Sequence, residues 1–78
     1  MEVKIYSTPA CPYCVALKMF LKEHNIEFTD IDVSKDRKAA EEMVEKSGQM
    51  GVPVADIDGK IVIGFNRDLI AQLLGIKD

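Results

Sequence analysis

The chain has 78 residues, 47% hydrophobic and 29% charged, the composition of one small globular domain over residues 1–78 and not of a disordered, coiled-coil or collagen-like chain. Thirteen acidic against ten basic residues give a formal charge of −3, and no basic cluster is longer than Arg37–Lys38, so the concentrated cationic footprint that nucleic acid requires is missing. No apolar run approaches the roughly 20 residues needed to cross a bilayer, and Met1–Tyr6 lack the apolar stretch of a signal peptide; the expectation is a cytoplasmic monomer with no membrane partner.

Val3 and Ile5 alternate with Lys4 beside Tyr6 and predict a first strand, ending at Ser7-Thr8-Pro9-Ala10. From Cys11 the pattern turns helical. Pro12 suits a first helical turn, and Leu17, Phe20, Leu21 and His24 recur at three- and four-residue spacing to about His24–Asn25. Ile26, Phe28, Ile31 and Val33 predict a second strand. Ser34-Lys35-Asp36 can cap a second helix over about Asp36–Ser47, with the narrow stripe Ala40, Met43 and Val44, and Gly48 stands at its left-handed C-terminal cap. Val52-Pro53-Val54-Ala55 reads as a third strand with a proline near its start, and Asp58-Gly59 is a two-residue hairpin signal leading into Lys60–Ile63. Asn66 then caps a last helix whose predicted buried face is Leu69, Ile70, Leu73 and Leu74, closed by Gly75.

The order βαβαββα makes strands one and two parallel across a right-handed crossover and adds an antiparallel hairpin. The predicted fold is α/β and thioredoxin-like: a mixed four-stranded sheet flanked by three helices. Its expected core is Ile5, Leu17, Phe20, Leu21, Phe28, Ile31, Val62, Leu69, Leu73 and Leu74.

Cys11 and Cys14 lie between the first strand and the first helix. A disulfide between them closes a ring of only four residues, worth roughly 2 kcal/mol on the chain-entropy estimate, and pins no distant segments. The pair therefore points to chemistry rather than architecture. With Pro12 as first helical residue, Cys11 is the N-cap, where unpaired backbone N–H groups and the positive end of the helix dipole favour negative charge on its sulfur. Cys14, in the same turn, can attack a mixed disulfide formed at Cys11. Tyr13 projects outward. Short Cys spacing also opens many metal sites, but tetrahedral zinc needs four ligands and the chain adds only His24, a helix away; a metal or iron–sulfur module would recruit the pair across a dimer.

Cys11-Pro12-Tyr13-Cys14 after Ile5-Tyr6-Ser7-Thr8, with Gly51-Val52-Pro53-Val54 and Gly64-Phe65 further on, resembles the glutaredoxin family over nearly the whole chain. The resemblance implies a dithiol–disulfide oxidoreductase acting on protein disulfides or glutathione mixed disulfides, with no tightly bound cofactor and glutathione as co-substrate. It makes Cys11 the nucleophile, Cys14 the resolving thiol and Pro53 a cis-proline whose neighbour Val52 pairs its backbone with glutathione or an extended peptide. It extends the binding site to Thr8, Pro12, Tyr13, Gly64, Phe65, Asn66 and Arg67. Three positions depart from the family pattern. Thr8 replaces a common cation, Gly64-Phe65-Asn66-Arg67 replaces a segment with two acidic residues, and Met50-Gly51 stands where threonines are common. These changes resemble the glutaredoxin-like hydrogen donors of ribonucleotide reductase, which take electrons from thioredoxin reductase instead of glutathione. The sequence leaves both donors open, and a mechanism using Cys11 alone as well.

Lys18, a turn beyond Cys14, is expected as a solvated lysine on the helix flank, the alternative being weak compensation for the cation missing at Thr8. His24 is expected to be structural, favoured at a helix C-terminus. The run Glu41-Glu42 with Glu45 and Asp36, interleaved with Arg37, Lys38 and Lys46, reads as a solvated face. Tyr13, Val52 and Phe65 are either a docking patch for a partner protein or, for the last two, part of the core.

Overall fold

Period-two alternation in the strands decides which residues enter each side of the sheet, and helix caps decide where each helix begins. The computed structural model describes residues 1–76. It has β1 (Val3–Ser7), α1 (Pro12–Glu23), β2 (Thr29–Asp32), α2 (Arg37–Ser47), β3 (Val54–Ile57), β4 (Lys60–Ile63) and α3 (Arg67–Leu74), in the expected order. The sheet runs β2-β1-β3-β4. β1 is parallel to β2, with Tyr6 opposite Ile31, and antiparallel to β3, with Ile5 opposite Ala55 and Tyr6 opposite Val54. β4 closes the hairpin on β3.

One face of the sheet buries Val3, Ile5, Ala55, Ile57 and Val62 against Leu17, Phe20 and Leu21 of α1 and Ile70 and Ala71 of α3. The other face is smaller: Tyr6 and Val54 pack with Met43 of α2, and Ile31, Val33, Val52 and Ile61 fill in around them. Asp36 caps α2 by accepting the Ala39 N–H at 3.1 Å, and Asn66 caps α3 by accepting that of Leu69 at 3.3 Å. Asp58 and Gly59 both take positive φ, 54° and 91°, the pairing a type I′ hairpin needs to match strand twist.

Four expectations change. β2 starts at Thr29, later than expected, because Asn25 turns left-handed at φ 57° and Ile26 donates its N–H back to Leu21 at 2.9 Å, so Ile26 and Phe28 pack under the end of α1 outside the ladder. β3 starts at Val54 because Pro53 offers no N–H to the ladder. In α3 the buried face is rotated. Ile70 and Ala71 are buried, Leu73 and Leu74 are half-buried, and Leu69 is 37% exposed. The charged face of α2 is not wholly solvated either. Lys46 reaches under the helix to Asp56 at 2.7 Å and donates to the Tyr6 hydroxyl at 3.2 Å, while Tyr6 donates to Glu42 at 2.7 Å. Tyr6, which joins this network, is fully buried.

Candidate functional site

The site lies where β1 ends. Cys11 holds an extended backbone at φ −102°, ψ 109°, and Pro12 begins the helix behind it. The Cys14 N–H donates to the Cys11 sulfur at 3.1 Å, so the sulfur occupies the place a serine or aspartate oxygen takes at an ordinary N-cap. Two backbone contacts fix the turn: Cys11 N–H to the Thr8 carbonyl at 3.4 Å and Val15 N–H to the Cys11 carbonyl at 3.2 Å. Both cysteines are free thiols.

Their surroundings differ. Cys11 is partly exposed, whereas Cys14 is fully buried. Burial pushes the Cys14 thiol up to about 11, and its hydrogen bond to the Cys11 sulfur adds to the rise; the Thr8 backbone N–H and the Lys18 ammonium work in the opposite direction. The unequal settings give one accessible sulfur at a helix N-terminus and one protonated sulfur held in reserve behind it.

The second wall is the segment before β3. The Val52–Pro53 peptide is cis, and the Cys11 thiol points to the Val52 carbonyl at 3.8 Å. Pro53 is buried. Its carbonyl accepts the Gly64 N–H at 2.8 Å, joining this loop to the one that opens α3. Thr8, Cys11, Cys14, Val52 and Pro53 are thus brought together, with Gly64 one contact behind them.

The remaining candidates spread outward. Tyr13 is 69% exposed. Phe65 is half-buried and tilts against Phe20, ring centroids 5.8 Å apart, and the Arg67 guanidinium lies 5.2 Å over the same Phe20 ring. Phe65 and Val52 thus lean into the two cores, and Tyr13 is the most open of the three aromatic and aliphatic candidates. Asn66 serves as the α3 cap. His24 is the C-cap of α1, its ring edge-on to Phe20 at 4.7 Å.

Lys18 corrects its expectation. Its side chain is only 21% exposed, and its Nζ is 3.0 Å from Asp30 Oδ2 and 3.5 Å from Ser7 Oγ. Ser7, 2% exposed, donates to Asp30 Oδ1 at 2.7 Å. The i, i+4 spacing of Cys14 and Lys18 was visible in the sequence; the Asp30 partner on β2 was not. Met50, 81% exposed two residues before Val52, is a further open apolar side chain, marked in the sequence only as a departure from the family pattern. Among the described residues, no group of three or more His, Cys, Asp and Glu side chains is placed to hold a metal ion.

Residues 3–62 match the family model for glutaredoxin. The chain belongs to the glutaredoxin family. It is 51% identical over 72 residues to an uncharacterized glutaredoxin-like 8.6 kDa protein in the rubredoxin operon of Clostridium pasteurianum, covering 92% of this chain and 96% of that one. Among solved structures it is similar to a mutant of the thioredoxin-like protein BC3987, at TM-score 0.93 and 36% identity over 97% of both chains. The glutaredoxin-like protein NrdH-redoxin from Escherichia coli, solved to explain a thioredoxin-like activity profile, matches at TM-score 0.84 and 29% identity, covering 94% of this chain and 95% of that one. The thioredoxin-like arrangement expected from element order is therefore the glutaredoxin fold. Among the described residues no helix is long and apolar enough to cross a membrane.

Proposed function

We propose that this glutaredoxin-family chain is a dithiol–disulfide oxidoreductase acting on protein disulfides, with Cys11 as nucleophile and Cys14 as resolving thiol. The observation that carries it is the inequality of the two sulfurs within one helical turn: Cys11 capped by the Cys14 N–H at 3.1 Å and open to a partner, Cys14 buried behind it. The Cys11 thiolate attacks a substrate disulfide and expels one thiol. Cys14 then attacks the Cys11 sulfur of the mixed disulfide, releasing the second thiol and leaving Cys11–Cys14 oxidised. An extended substrate segment pairs with the Val52 backbone as an added strand and rests against Tyr13, with Gly64, Phe65, Asn66 and Arg67 on the far side.

For the electron donor we favour a flavin reductase of the thioredoxin-reductase class over glutathione. Thr8 stands where a cation is common, Lys18 is engaged by Asp30, and Asn66-Arg67 replaces the acidic residues expected around a γ-glutamyl group. The resemblance to a protein of thioredoxin-like activity profile points the same way.

Reduction of the Cys11–Cys14 disulfide is measured with NADPH and thioredoxin reductase, and separately with glutathione and glutathione reductase. Turnover with the first is expected. Turnover with glutathione alone reverses the donor assignment, and failure of both sinks the oxidoreductase reading, with metal content of the purified protein then testing a cluster-binding module. Cys14→Ser should lose protein-disulfide reduction; full retention would leave a mechanism needing Cys11 alone.

A further inference from the structure

The first exchange as proposed does not call on the Ser7–Lys18–Asp30 cluster, and the placement of that cluster bears on the second, a role that rests on the proposed dithiol mechanism. To resolve the mixed disulfide, Cys14 must give up its proton, and its burial opposes the thiolate. Lys18 follows Cys14 by four residues, so the two share one face of α1 a turn apart. A lysine on a flexible stem normally carries its charge out to water. Here the charge is held in: Nζ lies 3.0 Å from Asp30 Oδ2 and 3.5 Å from Ser7 Oγ, and the buried Ser7 hydroxyl occupies Asp30 Oδ1 at 2.7 Å. Ser7 also precedes Thr8, whose backbone N–H faces the Cys14 sulfur. The cluster therefore fixes one of the two groups that favour negative charge there, the Lys18 ammonium.

The groups that act on the Cys14 sulfur come from α1, its N-cap and the loop before it. α1 supplies Lys18, its N-cap is Cys11, and the loop before it supplies the Thr8 N–H. Behind Lys18, β2 carries Asp30, engaged on both oxygens, and Asp32, whose carboxyl is held below its ordinary value by the Ser34 hydroxyl first and by Lys35 and Lys18 at longer range.

We propose that Lys18, locked by Ser7 and Asp30, is a positioning residue for the resolving step, its charge supporting the Cys14 thiolate as it attacks the mixed disulfide. In that step Cys14–SH and Cys11–S–S–R become Cys11–S–S–Cys14 and R–SH. The Cys11–SR bond breaks as the new S–S bond forms, the electron pair leaves on RS−, and the Cys14 proton reaches it through solvent. For each unit by which the lost charge raises the thiol, its thiolate falls about tenfold. The remaining thiolate is intrinsically more nucleophilic, with a Brønsted coefficient of about 0.4–0.5, so resolution slows by about threefold per unit.

Lys18→Met keeps the stem and removes the charge; Lys18→Arg keeps the charge. Rapid quenching with mass spectrometry follows the Cys11 mixed disulfide as it forms and disappears on a protein-disulfide substrate. The Met variant is expected to form it at the wild-type rate and resolve it more slowly, by up to about threefold, with the Arg variant restored. In a Cys11→Ser background, thiolate absorbance of Cys14 is expected to titrate higher with Met than with Lys or Arg. Equal resolution in wild type and Met variant overturns the inference, as does slowing in both variants with an unmoved Cys14 titration, which marks a packing role. A wild-type protein that never forms the Cys11–Cys14 disulfide overturns the proposed function itself, an outcome visible before either variant is compared.

Discussion

The two faces of the sheet are closed by different physics. Against α1 and α3 the closure is dry: Val3, Ile5, Leu17, Leu21, Ile57 and Ile70 are all but inaccessible to water and make one continuous apolar layer. Against α2 the apolar layer is three buried residues, Tyr6, Met43 and Val54, and a charge network completes it, with Lys46 bonded to Asp56, Glu42 and Tyr6. Four short strands cannot supply two full apolar layers in a chain this small. The larger layer lies under α1, which Cys11 caps and whose first turn holds Cys14, so the turn with both cysteines rests on the dry side.

Substitution should separate the faces. Leu17→Ala empties a fully buried site on the dry face and is expected to cost about 2–5 kcal/mol in denaturant unfolding, the range for buried leucine truncation. A loss below about 1 kcal/mol would mean that this face collapses around the cavity.

Lys46→Met on the other face should cost less, about 1–2 kcal/mol, because the Lys46 side chain is 29% exposed and water replaces part of what is lost. Its pH signature is more telling than its size. Tyr6 and Lys46 hydrogen bonds hold the Glu42 carboxyl below its ordinary 4.5, and although burial pushes the Asp56 carboxyl up, Lys46 and the Gly59 N–H outweigh it and hold it below 3.8. Depressed carboxyls stabilise the fold above their ordinary values and lose that contribution as pH falls through the folded ones. Lys46, raised by Asp56 and Tyr6, and Tyr6, raised by burial and Glu42, behave oppositely, their contribution being lost as pH rises past about 10. Wild-type stability should therefore fall below about pH 4, and more gently in Lys46→Met; parallel acid limbs for the two proteins would dissolve the distinction between the faces.

The smallest effect is expected within α3. Leu69→Ala should cost under about 1 kcal/mol and Ile70→Ala several times more, the reverse of what four apolar residues in one helix suggest, since Leu69 is 37% exposed and Ile70 fully buried. Equal losses would restore the unrotated helix.

Local signals were legible in the sequence where one residue type decides a backbone state. Pro12 after Cys11 marked the reactive turn, Asp58-Gly59 the hairpin, and Asp36, Asn66 and Gly48 the helix ends. Long-range pairings were not. Leu69, Ile70, Leu73 and Leu74 are compatible with two rotations of α3, and only its docking on α1 and the sheet selects Ile70 with Ala71. Glu42 and Lys46 look like any i, i+4 surface pair until β3 brings Asp56 beneath them. For the same reason Lys18 read as a solvated flank: its partners come from β1 and β2, and nothing within α1 announces them.

The strand directions also hand the experimenter a handle. Cys11, Thr8 and Pro53 gather where β1 ends and β3 begins, so the Asp58–Gly59 turn, tied to Glu2 by the Asp58 N–H at 2.8 Å, sits at the opposite pole of the sheet. A dye, a tether or an inserted peptide placed in that turn leaves the cysteine end unencumbered, which gives this small domain a point of labelling or immobilisation remote from Cys11.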